Sequence, residues 1–365
     1  MDVLVTGATG LLGVHLLRVL SKDADVSSIY ALTRNKAQAQ QTLNQYGIGQ
    51  NKVVLIEGDI RFPSLGVRED ELADLKKVRE AYHLAAMISL SNNPEDAAMI
   101  HEVNVRGTAN LLMVLRGCAD LQKFFFVSSA YACGYYDGVV PECWMAQPKG
   151  FRNFYEESKF MAEKEIKKFF EDTDIACALI RPSLFLTQDH ADFEKIKSQT
   201  TYCYCYIISK ILREHALHLG QLRFLGNPHS TLNMVRVKDL VSLLIGLRRD
   251  LSSLEIINMV NANDIFVDDL LQSFKKGLPQ NTELVFKTSL NIDHLNAIEQ
   301  EAYHRTSVFS RYTLNQVLSW QTEKASKMKK ELGIKDMTTK EIQRHFEEFD
   351  TLLQKKRQIH ASRMT

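Results

Sequence analysis

The chain of 365 residues is 45% hydrophobic and 24% charged, which supplies a sizeable core and excludes a disordered or low-complexity protein. Lys plus Arg is 45 and Asp plus Glu is 44, a net charge of +1 that removes the bulk electrostatic case for nucleic acid or an anionic membrane. No apolar run reaches the roughly 18 residues of a membrane-spanning helix, and the start lacks a signal-peptide pattern, so a cytoplasmic protein is expected.

In the first half, short apolar, β-branched-rich runs at 3–5, 29–32, 53–56, 81–85, 124–127 and 177–180 alternate with longer helical patterns. That alternation marks repeated strand-helix-strand units, so the expected fold class is α/β, a doubly wound parallel sheet covered on both faces. The first run begins at Val3, which leaves no N-terminal extension in this reading. After Pro182 the rhythm breaks. Residues 186–230 are polar and aromatic-rich, 232–247 and 255–260 read as returning sheet elements, and from about 264 onwards the pattern is mostly helical.

Six cysteines, Cys118, Cys133, Cys143, Cys177, Cys203 and Cys205, show no zinc-ligand spacing and read as free thiols, with no metal expected. Cys203 and Cys205 would share a face on a strand but not on a helix, and packing is favoured over metal binding. Near the end, Ile342, Phe346, Phe349 and Leu353 form an amphipathic stripe beside Lys355-Lys356-Arg357. Such stripes ordinarily pack on their own domain. Docking to a partner or to a membrane as a peripheral contact is the alternative.

Directly after the first predicted strand, Gly7-Ala8-Thr9-Gly10-Leu11-Leu12-Gly13 opens a helical pattern through Leu16, Leu17 and Leu20. Residues without a β-carbon let backbone N–H groups approach a pyrophosphate, which then sits on the positive end of the helix. Gly7 would permit the tight turn, Gly10 the close approach and Gly13 the helix packing, with Thr9, Leu11 and Leu12 in the same loop. Its place between strand and helix favours nucleotide binding over an ordinary connection. The GxxGxxG spacing resembles the short-chain dehydrogenase/reductase superfamily. Where a NAD site would carry an acid for the ribose 2′-OH, the second strand ends Leu32-Thr33-Arg34. Arginine suits a 2′-phosphate, so NADP, as NADPH, is expected ahead of NAD, the alternative being a solvated arginine. The resemblance also implies that Asp59 and the Ile60 backbone meet the adenine, and that small Ala85 and Ala86 let the ribose lie close.

Tyr155 and Lys159 are four apart in Tyr-Glu-Glu-Ser-Lys, so on a helix both face one ligand. A tyrosine pKa near 10 is too high for acid catalysis at neutrality, and a neighbouring ammonium would lower it. Taken alone, such a pair is common on solvated helices. Upstream, the fifth strand runs into Ser128-Ser129-Ala130-Tyr131, at the strand end where ligands of open α/β sheets collect. By the superfamily's pattern Ser129 is the active-site hydroxyl and Ser128 the lesser candidate. Asn104, in Asn-Val-Arg-Gly, matches the helix asparagine that helps to hold Lys159, and a purely structural residue is equally open. Pro182 and Ser183 should flank the nicotinamide, as the corresponding residues do in that superfamily.

Finer detail resembles the branch of fatty acyl-CoA reductases and thioester-reductase domains. The residues are Gly58-Asp-Ile-Arg-Phe-Pro-Ser-Leu-Gly66, Tyr82-His-Leu-Ala-Ala86, Ser158-Lys159 with Ala162-Glu163, Ile180-Arg-Pro-Ser183 and Asn233-Met-Val-Arg-Val-Lys-Asp239. Two features depart from it. No second arginine follows in 36–43, and Thr187-Gln-Asp-His-Ala-Asp-Phe193 lacks the Gly/Pro/Trp-rich loop usual in the acyl reductases. The resemblance implies an NADP-binding Rossmann domain over 1–185 with sheet elements returning at about 231–262, and a smaller, mostly helical substrate-binding subdomain from 186–230 and 263–365. It implies an NADPH-dependent reductase of an acyl thioester, carried by coenzyme A or an acyl carrier protein and met in trans, giving aldehyde or further alcohol. The alternative is an extended relative acting as a sugar-nucleotide epimerase or dehydratase, or as a hydroxysteroid or carbonyl oxidoreductase. A non-enzymatic nucleotide sensor would predict disturbed catalytic positions, and these are intact. The oligomeric state is left open, a homodimer among the options.

Overall fold

The structure, a computed structural model, describes residues 1–49, 51–91, 93–171, 173–196, 200–215, 220–314 and 318–362. In chain order the first half gives β1 (Asp2–Thr6), α1 (Leu11–Leu20), β2 (Ser28–Thr33), α2 (Lys36–Gln45), β3 (Val53–Glu57), α3 (Glu69–Leu75) and β4 (Glu80–His83). It continues with α4 (Pro94–His101), α5 (Gly107–Arg116), β5 (Lys123–Val127), α6 (Phe154–Phe170) and β6 (Ala176–Pro182). Helix α7 (Val237–Asp250), strand β7 (Glu255–Met259) and helix α8 (Glu323–Glu331) complete this part.

The strands form one parallel sheet in the order β7-β6-β5-β4-β1-β2-β3. A parallel sheet is covered by helices on both faces, which is why its strands read as unbroken apolar runs rather than alternations. Every residue of β6 is buried, and Leu4, Ile56, Phe124, Phe126, Leu179 and Ile256 belong to one core with helix residues such as Leu111 and Ile166. The chain order reverses beside β1, whose two neighbours are β2 and β4. This places a ligand crevice at their carboxyl ends.

The expected return of sheet over 232–247 is corrected. Only Thr231–Leu232 and Met234–Arg236 are extended, and 237–250 is α7. Val237, Leu240, Val241, Leu244 and Leu247 are buried at spacings of three and four, a helical period that outweighs the local β-branched content. The predicted run 81–85 also ends early, at His83, because Leu84 to Ala86 leave the sheet to form the crevice wall.

The chain divides into two compact units: residues 1–195, 235–260 and 320–335 in the first, and 196–234, 261–319 and 336–365 in the second. In the first, buried Asp192 accepts hydrogen bonds from Tyr46 Oη (2.6 Å) and the Thr187 hydroxyl, and pairs with His15 Nε2 at 2.9 Å. Arg18 pairs with Asp189, and Lys195 Nζ donates to the Thr9 carbonyl at 2.6 Å. These bonds fasten 187–195 to α1, to the loop before it and to Tyr46 at the end of α2.

The second unit contains helices Thr200–Glu214, Ala297–Thr306 and Thr339–Ser362 and a parallel strand pair, Gln221–Leu225 with Glu283–Lys287. Ile342, Phe346, Phe349 and Leu353 are buried, and Tyr202 lies 5.0 Å from Phe349 and 5.7 Å from Phe346 between ring centroids. The stripe is therefore spent on its own unit and is not offered to a membrane. Lys355 is exposed, while the side chains of Lys356 and Arg357 lie outside the described residues. Cys203 and Cys205 sit on a helix, with Cys205 buried and Cys203 partly exposed. Among the described residues, no helix is long and apolar enough to cross a membrane.

Candidate active site

A cavity of about 630 Å³ opens at the carboxyl ends of β1, β2, β3 and β4. Its floor is the loop between β1 and α1. Gly7 adopts φ +69°, and a β-carbon there would lie 2.6 Å from the Ala85 nitrogen. At Gly13 a β-carbon would fall 2.2 Å from the Gly7 carbonyl oxygen, so α1 can start this close to the loop only without one. Thr9, Gly10, Ala85 and Ala86 line the cavity. Leu11 and Leu12, by contrast, are buried in the first turn of α1 and are not among the lining residues.

Below the floor, the buried Thr6 hydroxyl bonds His83 Nδ1 at 2.7 Å, and His83 Nε2 bonds the Thr108 hydroxyl at 2.9 Å. Burial, with the Lys159 charge, pulls His83 down to about 3, so it is a neutral structural link.

Arg34, Asn35 and Gln38 form one wall of the cavity, and Asp59, Ile60 and Arg61 another. The second wall is held by an unusual turn in which Ser64, Leu65 and Gly66 have φ of 51°, 59° and 60°. Leu65 is fully buried, and its carbonyl accepts from the Asp59 N–H at 2.7 Å. Arg61 grips Asp59 with Nε at 2.9 Å and Nη2 at 2.7 Å from Oδ2. Burial raises the Asp59 carboxyl, but Arg61 hydrogen bonds and the Arg61 and Arg34 charges outweigh it and hold it below the usual carboxylate range.

Ser129 and Tyr155 are brought together beyond β5, with the Ser129 hydroxyl near enough to favour the phenolate. Ser129 also accepts from the Tyr131 N–H at 3.2 Å, capping the short turn 130–133. Burial raises the Tyr155 pKa, the Glu156 charge adds to that, and the Ser129 hydroxyl opposes it. Glu156 is itself buried against Arg152 at 2.9 Å. Lys159 is on the same helix, and its Nζ donates to the Val127 carbonyl at 2.8 Å and lies 4.9 Å from the Phe126 ring centroid. Burial pulls Lys159 down to about 7, against the Glu163 charge.

Asn104 lies in a π-helical turn, Glu102–Arg106, between α4 and α5. Extra turns of this kind re-aim side chains and are frequent at functional sites. Its amide bonds both backbone groups of Met87, at 2.7 and 2.9 Å, and the Ser158 hydroxyl at 2.8 Å. Asn104 thus braces the neighbour of Lys159 on α6 and the cavity wall at Met87. Ser128 donates to Glu163 Oε1 at 2.5 Å and is occupied. Pro182 ends β6 beside Met259, and the Ser183 N–H donates to the Met259 carbonyl at 3.1 Å.

Residues 5–241 match the family described as Male sterility protein. This chain is a member of that family. Fatty acyl-CoA reductase 1 of Homo sapiens is 30% identical over 148 residues, 36% of this chain and 28% of that protein. The hybrid PKS-NRPS synthetase pvhA of Talaromyces variabilis is 28% identical over 184 residues, 50% of this chain and 4% of that one. The chain thus spans less than a third of either relative's length. Among solved structures, the terminal R domain of the myxalamid PKS-NRPS pathway superposes with TM-score 0.74 at 17% identity, covering 97% of this chain and 90% of that one. UDP-glucuronic acid 4-epimerase from Bacillus cereus, solved with UDP-glucuronic acid and NAD, gives TM-score 0.67 at 16% identity, with 97% and 100% covered. At these identities the likeness is one of fold, that of the extended short-chain dehydrogenase/reductases. This chain thus belongs to an NAD-binding family and has that fold.

The residues present in this family member fit such a cofactor. The floor is a loop whose close packing on Ala85 and on α1 a β-carbon at Gly7 or Gly13 would break, which leaves its backbone bare toward the cavity, and the buried Ser183 hydroxyl has no partner of its own. A buried hydroxyl without a partner costs about 1 to 3 kcal/mol, which a bound ligand can recover. Sequence reasoning missed several residues that shape the site. Arg61 and Gln38 line the cavity, Ser158 and Met87 receive Asn104, and the buried pair Glu163–Arg181 (2.7 Å) fixes Ser128. Arg181, the one charged residue in the otherwise apolar run 176–182, was the available signal for that pair.

Proposed function

We propose that this protein reduces an acyl thioester to an aldehyde with NADPH, releasing the thiol and NADP⁺ and consuming one proton. The observation that carries this reading is the placement of Ser129, at the carboxyl end of β5, beside Tyr155 on the helix that bears Lys159, next to a glycine-floored cavity rimmed by Arg34. NADPH, once bound, supplies the hydride. Gly7, Thr9, Gly10, Leu11, Leu12 and Gly13 would cradle its pyrophosphate, Arg34 its 2′-phosphate, Asp59 and Ile60 its adenine, and Pro182 and Ser183 its nicotinamide end.

Tyr155 and Ser129 would direct their hydroxyls at the thioester oxygen, so charge that develops there during hydride addition meets preplaced donors. Tyr155 then gives its proton to that oxygen. A protonated Lys159 stabilises the phenolate left behind and holds the ribose, and Asn104 keeps α6 and the Met87 wall in place for both. The hemithioacetal expels its thiol and leaves the aldehyde. Relatives named as fatty acyl-CoA reductases and as a PKS-NRPS synthetase support an acyl group on coenzyme A or on a carrier protein. The test is incubation with NADPH and acyl-CoAs of graded length, and with acylated carrier protein, followed by mass spectrometry. Aldehyde or alcohol is expected, and no turnover on any of these thioesters would remove the reading.

A further inference from the structure

A 2′-phosphate carries close to two negative charges, so a site that selects it by charge needs more than one cation or must keep anions away. Among the described residues lining the cavity, Arg34 is the one cation at the end of β2, and Lys36 is drawn off to Glu71 at 2.7 Å. The residues after β3 carry Asp59, a carboxylate in the same cavity and near enough to feel the Arg34 charge. Left bare, it would repel a phosphate held at Arg34. It is not bare. Arg61 closes on it through Nε and Nη2, while Nη1 lies 3.7 Å from Met99 Sδ, which is also on the lining. The turn through Ser64 and Leu65 fixes the backbone from which Asp59 projects, and the Asp59 carboxylate accepts from the Arg61 N–H at 3.0 Å as well as from its guanidinium.

We infer that Arg61 is a second determinant of NADPH selection, acting by cancelling the Asp59 charge so that Arg34 has a neutral neighbour instead of an anion. This rests on the NADPH reading of the site. Arg34 with the Arg61–Asp59 pair leaves the cavity one positive charge in excess. Removal of Arg61 leaves it neutral, with an uncompensated carboxylate near Arg34.

The experiment is titration of 2′,5′-ADP and 5′-AMP, and of NADPH and NADH, into the intact protein and its variants, with calorimetry as the readout. Arg61→Ala should weaken 2′,5′-ADP and NADPH roughly tenfold and change 5′-AMP and NADH less than about twofold. Arg61→Lys should keep most of the discrimination. Adding Asp59→Asn to Arg61→Ala should restore most of the lost discrimination between 2′,5′-ADP and 5′-AMP, because the offending charge is gone and any change at the adenine is common to both ligands. Equal weakening of all four ligands by Arg61→Ala would make Arg61 a support of the adenine wall alone and overturn the inference, as would unchanged discrimination or a double variant that fails to recover. Arg34→Ala separates the two levels. If it abolishes discrimination while Arg61→Ala does not, only the role of Arg61 falls. If the unaltered protein binds 5′-AMP as tightly as 2′,5′-ADP, the NADPH reading falls with it.

Discussion

The two units are stabilised in different ways. The first is built on a continuous parallel ladder, seven strands wide, whose register runs from β3 to β7 without interruption. Among the described residues of the second, strand pairing is limited to short two-stranded ladders, and side chains from distant segments do much of the joining. Asp350 takes the Ser209 hydroxyl and Arg213, Tyr202 Oη meets His345 Nε2 at 2.6 Å, and Arg223 pairs with Glu299 at 2.7 Å. Backbone ladders tolerate exchange of side chains, whereas joints made of individual side chains do not. The glycine-floored cavity lies entirely on the ladder unit, so damage to the second unit and damage to cofactor binding should be separable.

The largest expected effect is on chemistry within the ladder unit. Tyr155→Phe removes only the hydroxyl, and turnover should fall by about a hundredfold to ten-thousandfold while NADPH affinity in a fluorescence titration stays nearly unchanged. Retention of most of the activity would strip Tyr155 of the proton-donor role. In the other unit, Phe346→Ala empties a fully buried position beside Tyr202 and should cost about 3 to 5 kcal/mol in urea denaturation. NADPH affinity measured below the new transition should change less than about twofold. A matching loss of affinity would break the contrast between the units.

Arg34→Glu should weaken NADPH by about 1.5 to 3 kcal/mol, roughly tenfold or more, and leave NADH little changed. The effect that is smallest per step, being spread over several pH units, concerns Lys159, whose pKa burial pulls from 10.5 to about 7. Between about pH 7 and 10 the unfolded chain holds a proton there that the folded protein has lost. Stability should therefore rise with pH across that window by up to about 1.4 kcal/mol per unit, and below pH 7 the penalty of charging the buried amine is fully present. Lys159→Met should flatten that slope in denaturation curves of the cofactor-free protein. An unchanged slope would show that the amine titrates normally.

The sheet was legible because parallel strands announce themselves as short, unbroken apolar runs, and the GxxGxxG spacing is a backbone requirement written directly in residue type. The run 232–247 misled because its β-branched residues weigh towards strand, while its burial repeats at a helical period that becomes clear only once α7 has a sheet to lie on. Tyr155 and Lys159 could be paired from spacing and Ser129 named from the superfamily's pattern, and the structure places Ser129 beside Tyr155. It also shows Lys159 bonded to the Val127 carbonyl and Asn104 to Met87 and Ser158. Those partners depend on a π-helical turn and on strand ends far away in the chain, and no local pattern encodes them. Arg61 was hidden for the same reason, because its meaning depends on which wall Arg34 occupies.

The left-handed turn through Ser64, Leu65 and Gly66 also acts as a ruler. Surface loops usually accept an extra residue at little cost. This one is pinned at both ends, by the fully buried Leu65 side chain and by the Leu65 carbonyl on the Asp59 N–H, and a β-carbon on Gly58 would lie 2.5 Å from that same carbonyl. One inserted residue would pull Leu65 from its pocket or release Asp59, so the number of residues between Asp59 and Gly66 is set by backbone geometry. For anyone grafting loops between relatives, that segment is exchangeable in side chains but not in length.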